Sequence, residues 1–288
     1  MRYSVKLLYQ ISRKSQCDAL TSRAKEKGYA MTINYFDLNN KIAMVTGASS
    51  GLGIHFAKIL AAEGATVILA ARRHEKLESI VSEIIADGGK ASALSLDVTN
   101  PESVQQCFKT IEGDFGGLDI LINNAGVASD PTKFVDITED EWSWVVDTNM
   151  TGAWRVAQAA TRQMIATNKP GSIINISSIY GLHTGVLKAG YNVSKAGVVQ
   201  LTKSMAMELA RYNIRVNALC PGWFLTDINS GYFASESGAR YVKSLPSRRL
   251  GNMEELTVPL LMLASNKASS YINGSCITVD GGLVESPV

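Results

Sequence analysis

Residues 41–60, KIAMVTGASSGLGIHFAKIL, set a strand, a turn and a helix end to end. Ile42 to Thr46 is apolar almost throughout, the pattern of a strand covered on both faces. Gly47, Gly51 and Gly53 interrupt it, and from Ile54 to Glu63 apolar residues return at helical spacing until Gly64 stops them. A strand that feeds straight into a helix commits the following strand to run parallel to it. The same alternation continues to the C-terminus. Strands are predicted over Thr66–Ala71, Ala91–Leu96, Ile120–Asn123, Ser172–Ser177, Arg215–Cys220 and Cys276–Val279. Helices are predicted over His74–Ala86, Pro101–Phe115, Glu139–Ala166, Tyr191–Arg211 and Glu254–Leu263. The expectation is an α/β protein with a doubly wound, parallel, seven-stranded sheet, forming one domain over residues 39–288.

The glycines have a mechanical use. A turn this tight needs permissive dihedrals, and a pyrophosphate reaches the backbone and the helix N-terminus only where side chains are absent. Gly47, Ser49, Ser50, Gly51, Leu52 and Gly53 therefore form a candidate dinucleotide loop of a Rossmann fold. Glycines alone also serve ordinary turns; the strand–loop–helix order is what carries the reading. The second strand ends in Ala71-Arg72-Arg73, where a ribose-reading residue belongs. No carboxylate stands there to accept ribose hydroxyls, and the Arg72 guanidinium suits a 2′-phosphate, so NADP(H) is expected in preference to NAD(H). The competing reading is that Arg72 and Arg73 only solvate the start of a helix.

Tyr191 and Lys195 stand four apart at the start of a helical segment and share a face. A phenol titrates near pH 10, too high for efficient proton transfer at neutral pH, and a neighbouring ammonium lowers it by favouring the phenolate. Taken alone, such a pair is more often a surface aromatic with a solvated lysine. Ser178 follows an apolar strand, where its hydroxyl could meet a substrate oxygen, although serines at strand ends are usually turn formers. Asn149 falls in mid-helix, an unfavourable place for asparagine.

Together with the glycine loop, these residues resemble the short-chain dehydrogenase/reductase family over about Lys41 to Gly282. The family's Asn-Asn-Ala-Gly sequence falls on Asn123 to Gly126, which includes the cofactor contacts Asn124, Ala125 and Gly126. Its catalytic Asn, Ser, Tyr and Lys fall on Asn149, Ser178, Tyr191 and Lys195. The resemblance also takes in Asp97, with Val98 beside it, as the adenine contact, and Pro221, Gly222 and Thr226 around the nicotinamide carboxamide. It implies that Tyr191 exchanges the proton and Ser178 orients the carbonyl oxygen. Lys195 would bind the nicotinamide ribose and depress the tyrosine pKa, while Asn149 would hold a water. Hydride transfer would be direct, with no metal. The resemblance further implies a homotetramer joined through the helices that carry Asn149 and Tyr191, with Val279 to Gly282 near another interface.

Specificity in such a fold belongs to loops at the strand C-termini. Thr226 to Leu250 fits neither period and is predicted to be part of a substrate lid covering about residues 223–250. His183 and Trp223, with Phe224 and Tyr232, are candidate pocket residues, or else packing within the lid. In motif wording the chain resembles 3-oxoacyl-acyl carrier protein reductases, whose carrier-docking bases match Lys169 and Arg211, and also sugar or polyol dehydrogenases. A non-catalytic dinucleotide sensor is the reading from another class. It should lack the tyrosine or the lysine, and both are present.

A formal charge of +2 gives no reason to expect a nucleic-acid partner. Cys17, Cys107, Cys220 and Cys276 have no metal or disulfide spacing, which suits a reducing, cytoplasmic setting. No apolar run approaches the ~18 residues of a membrane span. The first thirty residues are the exception in character, with seven Lys and Arg against Asp18 and Glu26. Residues 1–38 are an organelle-targeting peptide or an extension upstream of a start at Met31.

Overall fold

The computed structural model describes residues 34–226 and 229–286, so the cationic part of the expected tail lies outside the described residues. The compact unit begins at Phe36, slightly earlier than the expected boundary. Leu38 is buried, its amide donates to the Glu63 carbonyl at 2.9 Å, and its carbonyl accepts from Lys41 N at 3.1 Å. An apolar side chain and two backbone bonds tie it to the first helix and strand.

Seven strands form one parallel sheet in the order β3-β2-β1-β4-β5-β6-β7. They are β1 (Ile42–Thr46), β2 (Thr66–Ala71), β3 (Lys90–Ser95), β4 (Ile120–Asn123), β5 (Gly171–Ile176), β6 (Ile214–Pro221) and β7 (Cys276–Val279). The main covering helices are α1 (Gly51–Ala62), α2 (His74–Ala86), α3 (Pro101–Phe115), α4 (Glu139–Val146), α5 (Gly152–Thr167) and α6 (Ala189–Leu209). Two short helices, α7 (Ser230–Ala234) and α8 (Glu236–Ser244), precede α9 (Thr257–Ala264) and α10 (Asn266–Ser269). The order in which successive strands are added reverses between β1 and β4. That is the switch point where loops part at the C-terminal edge and leave a crevice for a ligand.

The period-2 alternation of each strand divides the core between the two faces. Val45, Val67, Leu69, Ile122 and Ile174 pack with Phe56, Leu60 and Leu260 on one side. Met44, Ile68, Leu121 and Ile173 pack with Phe108, Val156 and Met164 on the other. Met44 pairs in register with Ile68 and Leu121 and is wholly buried. Truncating such a side chain to alanine costs ~2–5 kcal/mol.

The predicted helix over Glu139–Ala166 is not continuous: a π-turn over Asp147–Thr151 separates α4 from α5. The predicted irregular stretch also differs, because Thr226 to Leu250 contains α7 and α8. Ser235 caps α8, its hydroxyl accepting from Gly238 N at 3.1 Å. Tyr241 and Val242 do share one face of α8, but a helix of 9 residues is too short for that period to stand out among polar neighbours.

Candidate active site

The loops after β1 and β4 are bolted together at the switch point. The buried Thr46 hydroxyl accepts from the amides of Asn124 and Ala125, each at 2.9 Å, and Asn124 Nδ2 donates to the Thr46 carbonyl at 2.8 Å. Gly47 has φ +64°, and a Cβ there would come within 2.9 Å of Ala125 Cα. Only glycine meets both demands. The methyl of Thr226 lies over Gly51, 3.6 Å from where a Cβ would be. Gly51 opens α1, whose first-turn amides have no partners within the helix. This bare backbone cradle fits the pyrophosphate of a dinucleotide.

At the end of β2 the sequence directed attention to Arg72, but Arg73 is the residue seated on the loop. Its Nη2 donates to Ser49 Oγ at 2.9 Å and Ser50 Oγ at 3.1 Å, and its Nε to Ser49 Oγ at 3.2 Å. Arg72 instead acts on Asp97 through its charge. Burial pushes the Asp97 carboxyl up, but hydrogen bonds from the Thr99 hydroxyl and amide, with the charges of Arg72 and Arg155, hold it below its ordinary value. Arg155 also donates to the Val98 carbonyl at 2.6 Å, fixing the strand exit where Asp97 and Val98 stand. Nothing in the residue order distinguished the two arginines; which one folds back depends on the turn into α2.

Asn149 sits in the π-turn, buried. Its Oδ1 accepts from Val127 N at 2.7 Å, while Nδ2 donates to the Val127 carbonyl at 2.9 Å and to Ser194 Oγ at 3.1 Å. The side chain thus clamps the loop after β4 to α6. That explains an asparagine in the interior of a helical run, since its amide serves two other elements. Gly126 passes close by, and a Cβ on it would stand 3.2 Å from Asn149 Oδ1 and 3.4 Å from Lys195 Nζ.

Ser178, Tyr191 and Lys195 come together at the C-terminal end of β5. The Ser178 hydroxyl accepts from Tyr180 N at 3.1 Å and lies beside the Tyr191 phenol. Lys195 is buried, donates to the Ile176 carbonyl at 2.9 Å and places its ammonium 5.7 Å above the centre of the Tyr191 ring. Burial brings the Lys195 ammonium down to about 8. The expected depression of the tyrosine is not found. Burial raises the Tyr191 phenol and only Ser178 opposes it, because the ammonium lies over the ring face and spends a proton on Ile176.

Gly222 N donates to the Val279 carbonyl at 2.9 Å, so Pro221-Gly222 is held by β7. Trp223 packs edge-on to Tyr180, Phe233 and Tyr241. Phe224 is buried, and Tyr232 stacks on Phe233. His183 is partly exposed and donates its backbone amide to the Ile179 carbonyl at 2.7 Å. Tyr180 and Tyr241 escaped the sequence reading; Tyr180, two residues after Ser178, carried a usable signal in its position. Lys169 and Arg211 lie elsewhere. They precede the first residues of β5 and β6, at the opposite end of the sheet from Ser178 and Pro221.

A family profile described as enoyl-(acyl carrier protein) reductase matches residues 47–284. A short-chain type dehydrogenase/reductase from Mycobacterium marinum superposes with a TM-score of 0.83 at 40% identity, over 87% of this chain and 98% of that one. The chain belongs to the short-chain dehydrogenase/reductase family. It is accordingly an oxidoreductase acting on CH–OH groups. Within this family it is similar to 3-oxoacyl-[acyl-carrier-protein] reductase of Vibrio cholerae, 39% identical over 86% of this chain and 98% of that protein. It is also similar to a gluconate 5-dehydrogenase from Burkholderia cenocepacia, solved with NADP and tartrate: TM-score 0.84, 33% identity, 88% of this chain and 99% of that one. Among the described residues no helix is long and apolar enough to cross a membrane.

Proposed function

We propose that the chain reduces a ketone to a secondary alcohol with NADPH, Tyr191 giving the proton. One observation carries the reading: Ser178 lies beside the Tyr191 phenol and acts to lower it, with the Lys195 ammonium above the tyrosine ring. The glycine loop would hold the pyrophosphate of the dinucleotide, whose nicotinamide would supply the hydride. Ser178 orients the carbonyl oxygen, and Tyr191, kept protonated by burial, donates to it as negative charge develops there. Lys195 holds the nicotinamide ribose and draws near enough to Tyr191 to return its proton. Asn149 keeps the loop after β4 in place, and the second lone pair of its Oδ1 is the acceptor left for a water in the relay.

Preference for NADP(H) over NAD(H) is supported by Arg73 on Ser49 and Ser50, with Arg72 beside it and no carboxylate at the end of β2. For the substrate, the Vibrio cholerae relative favours a 3-oxoacyl thioester. The Burkholderia cenocepacia neighbour, with NADP and tartrate, favours a keto sugar acid as the second reading. A homotetramer is supported by apolar side chains left exposed on α4, α5 and α6: Trp144 at 47%, Trp154 at 44% and Met207 at 84%. Light scattering that reports only monomers would remove that part. The scattered cysteines suit the cytoplasm.

Following nicotinamide absorbance with 3-oxobutanoyl-N-acetylcysteamine and with 5-keto-gluconate tests the core reading. Oxidation of NADPH by one of them is expected, and faster than oxidation of NADH. No oxidation with any ketone would overturn it.

A further inference from the structure

A set of aromatic side chains reaches the catalytic ring from the side away from Lys195. The Tyr180 ring stands edge-on to Tyr191 at 6.3 Å and 88°. Trp223 stands edge-on to Tyr180 at 6.0 Å and 85°. Tyr241, on α8, stands edge-on to Trp223 at 6.1 Å. Edge-to-face contacts of this kind are attractive at these separations. They make a continuous wall from α8 to Tyr191.

The polar tips of the wall meet at one atom. Trp223 Nε1 donates to the Tyr241 hydroxyl at 3.1 Å, and the Tyr180 phenol lies beside that same hydroxyl. Burial, with Tyr241 beside it, pushes the Tyr180 phenol up to about 12, so Tyr180 keeps its proton and does not compete with Tyr191 as an acid. The other side of the Tyr180 ring is fixed as well. A Cβ on Gly185 would fall 2.6 Å from Tyr180 Cε1, so the ring rests on bare backbone. Asn192 Nδ2, one residue after Tyr191, holds that backbone by donating to the Gly185 carbonyl at 2.7 Å.

We propose that Tyr241 is a positioning residue whose hydroxyl, accepting from Trp223 Nε1, holds the aromatic wall against Tyr191 and so sets where the substrate carbonyl sits. The proposal rests on Tyr191 being the proton donor. Removing the Tyr241 hydroxyl leaves Trp223 Nε1 without its acceptor and frees both rings to turn.

The test compares the full-length wild type with Tyr241→Phe, Tyr180→Phe and the double variant. Each keeps the rings and removes only hydroxyls. With 3-oxobutanoyl-N-acetylcysteamine or 5-keto-gluconate, whichever turns over, each single variant is expected to raise KM for the ketone about threefold to tenfold. KM for NADPH should stay within about twofold, a split that loss of fold would not produce. The double variant should be no worse than the poorer single one, because both hydroxyls act through the same wall. An unchanged ketone KM, or effects that add, would overturn the proposal. A crystal structure of Tyr241→Phe decides independently of turnover. Displaced Trp223 and Tyr180 rings are expected, and rings in their original places would count against the wall being held this way. A wild type inactive on every ketone would instead sink the proton-donor reading.

Discussion

The two halves of the crevice are built from different materials. The dinucleotide half, from β1 to β4, is backbone and small side chains: Gly47 against Ala125, the Thr46 hydroxyl on two amides, and a helix opening at Gly51. The substrate half, from β5 to α8, is rings: Tyr180, Tyr191, Trp223 and Tyr241. A cradle of backbone, although it joins Gly47 to Ala125 across the chain, depends on few side chains. A wall of rings depends on residues as far apart as Tyr180 and Tyr241, and changing any of them reshapes it. The first half fixes what supplies the hydride; the second selects what receives it.

The sharpest way to break this division is at the residue where the halves meet. Tyr191→Phe removes the proton donor and keeps the ring that Tyr180 and Lys195 pack against. A fall in kcat of about 10²–10⁴ is expected, with NADPH affinity by fluorescence titration unchanged. Loss of NADPH binding in that variant would mean that the two halves are not separable.

Arg73→Ala acts on the dinucleotide half alone. Charge-assisted hydrogen bonds contribute about 1.5–3 kcal/mol, so NADPH affinity should fall about tenfold to a hundredfold, while NADH affinity and KM for the ketone barely move. A larger loss in Arg72→Ala than in Arg73→Ala would return the phosphate to the arginine that the sequence favoured.

Lys195 gives the comparison a pH axis. Burial has brought its pKa down to about 8, so the ammonium is present below that pH and lost above it. If the charge holds the nicotinamide ribose, kcat/KM for NADPH should be level below pH 8 and fall as pH rises through it. This ratio reports the free enzyme, the state to which that value belongs. Lys195→Arg, which keeps its charge across the range, should remove the falling limb even if its rate is low. A limb that persists in Lys195→Arg would belong to another group.

Legibility in the sequence follows the same division. The seven strands and the glycine loop were readable from local period, and the shared face of Tyr191 and Lys195 from their spacing in one helix; Asn149 and Ser178 joined them only through the family resemblance. The choice between Arg72 and Arg73 was not, since a turn of one residue decides it. Nor was the electrostatic state of Tyr191. Helical spacing put Lys195 on the same face, but packing placed its ammonium over the ring and bonded it to Ile176. The π-turn at Asn149 left only a trace, an amide where a helix does not favour one. The wall was legible only in part: Trp223 was a candidate from its loop position, while Tyr241 lies on α8, whose nine residues give a helical period little length to show.

The smallest expected effect concerns Lys169 and Arg211. Both come just before strand starts, while Ser178 and Pro221 stand at strand ends, and β5 alone, Gly171 to Ile176, spans roughly 20 Å. A carrier protein seated on them could not feed the site of the same subunit along the sheet; it would have to reach the crevice of another copy. Charge reversal of both residues should therefore leave kcat/KM for 3-oxobutanoyl-N-acetylcysteamine within about twofold, since exposed charges this far away are screened beyond ~8–10 Å. With a carrier-bound thioester, docking at these residues predicts a slower association that weakens further with salt. Equal rates for wild type and variant on the carrier-bound thioester would remove these two bases from substrate recognition and leave selection to the aromatic half of the crevice.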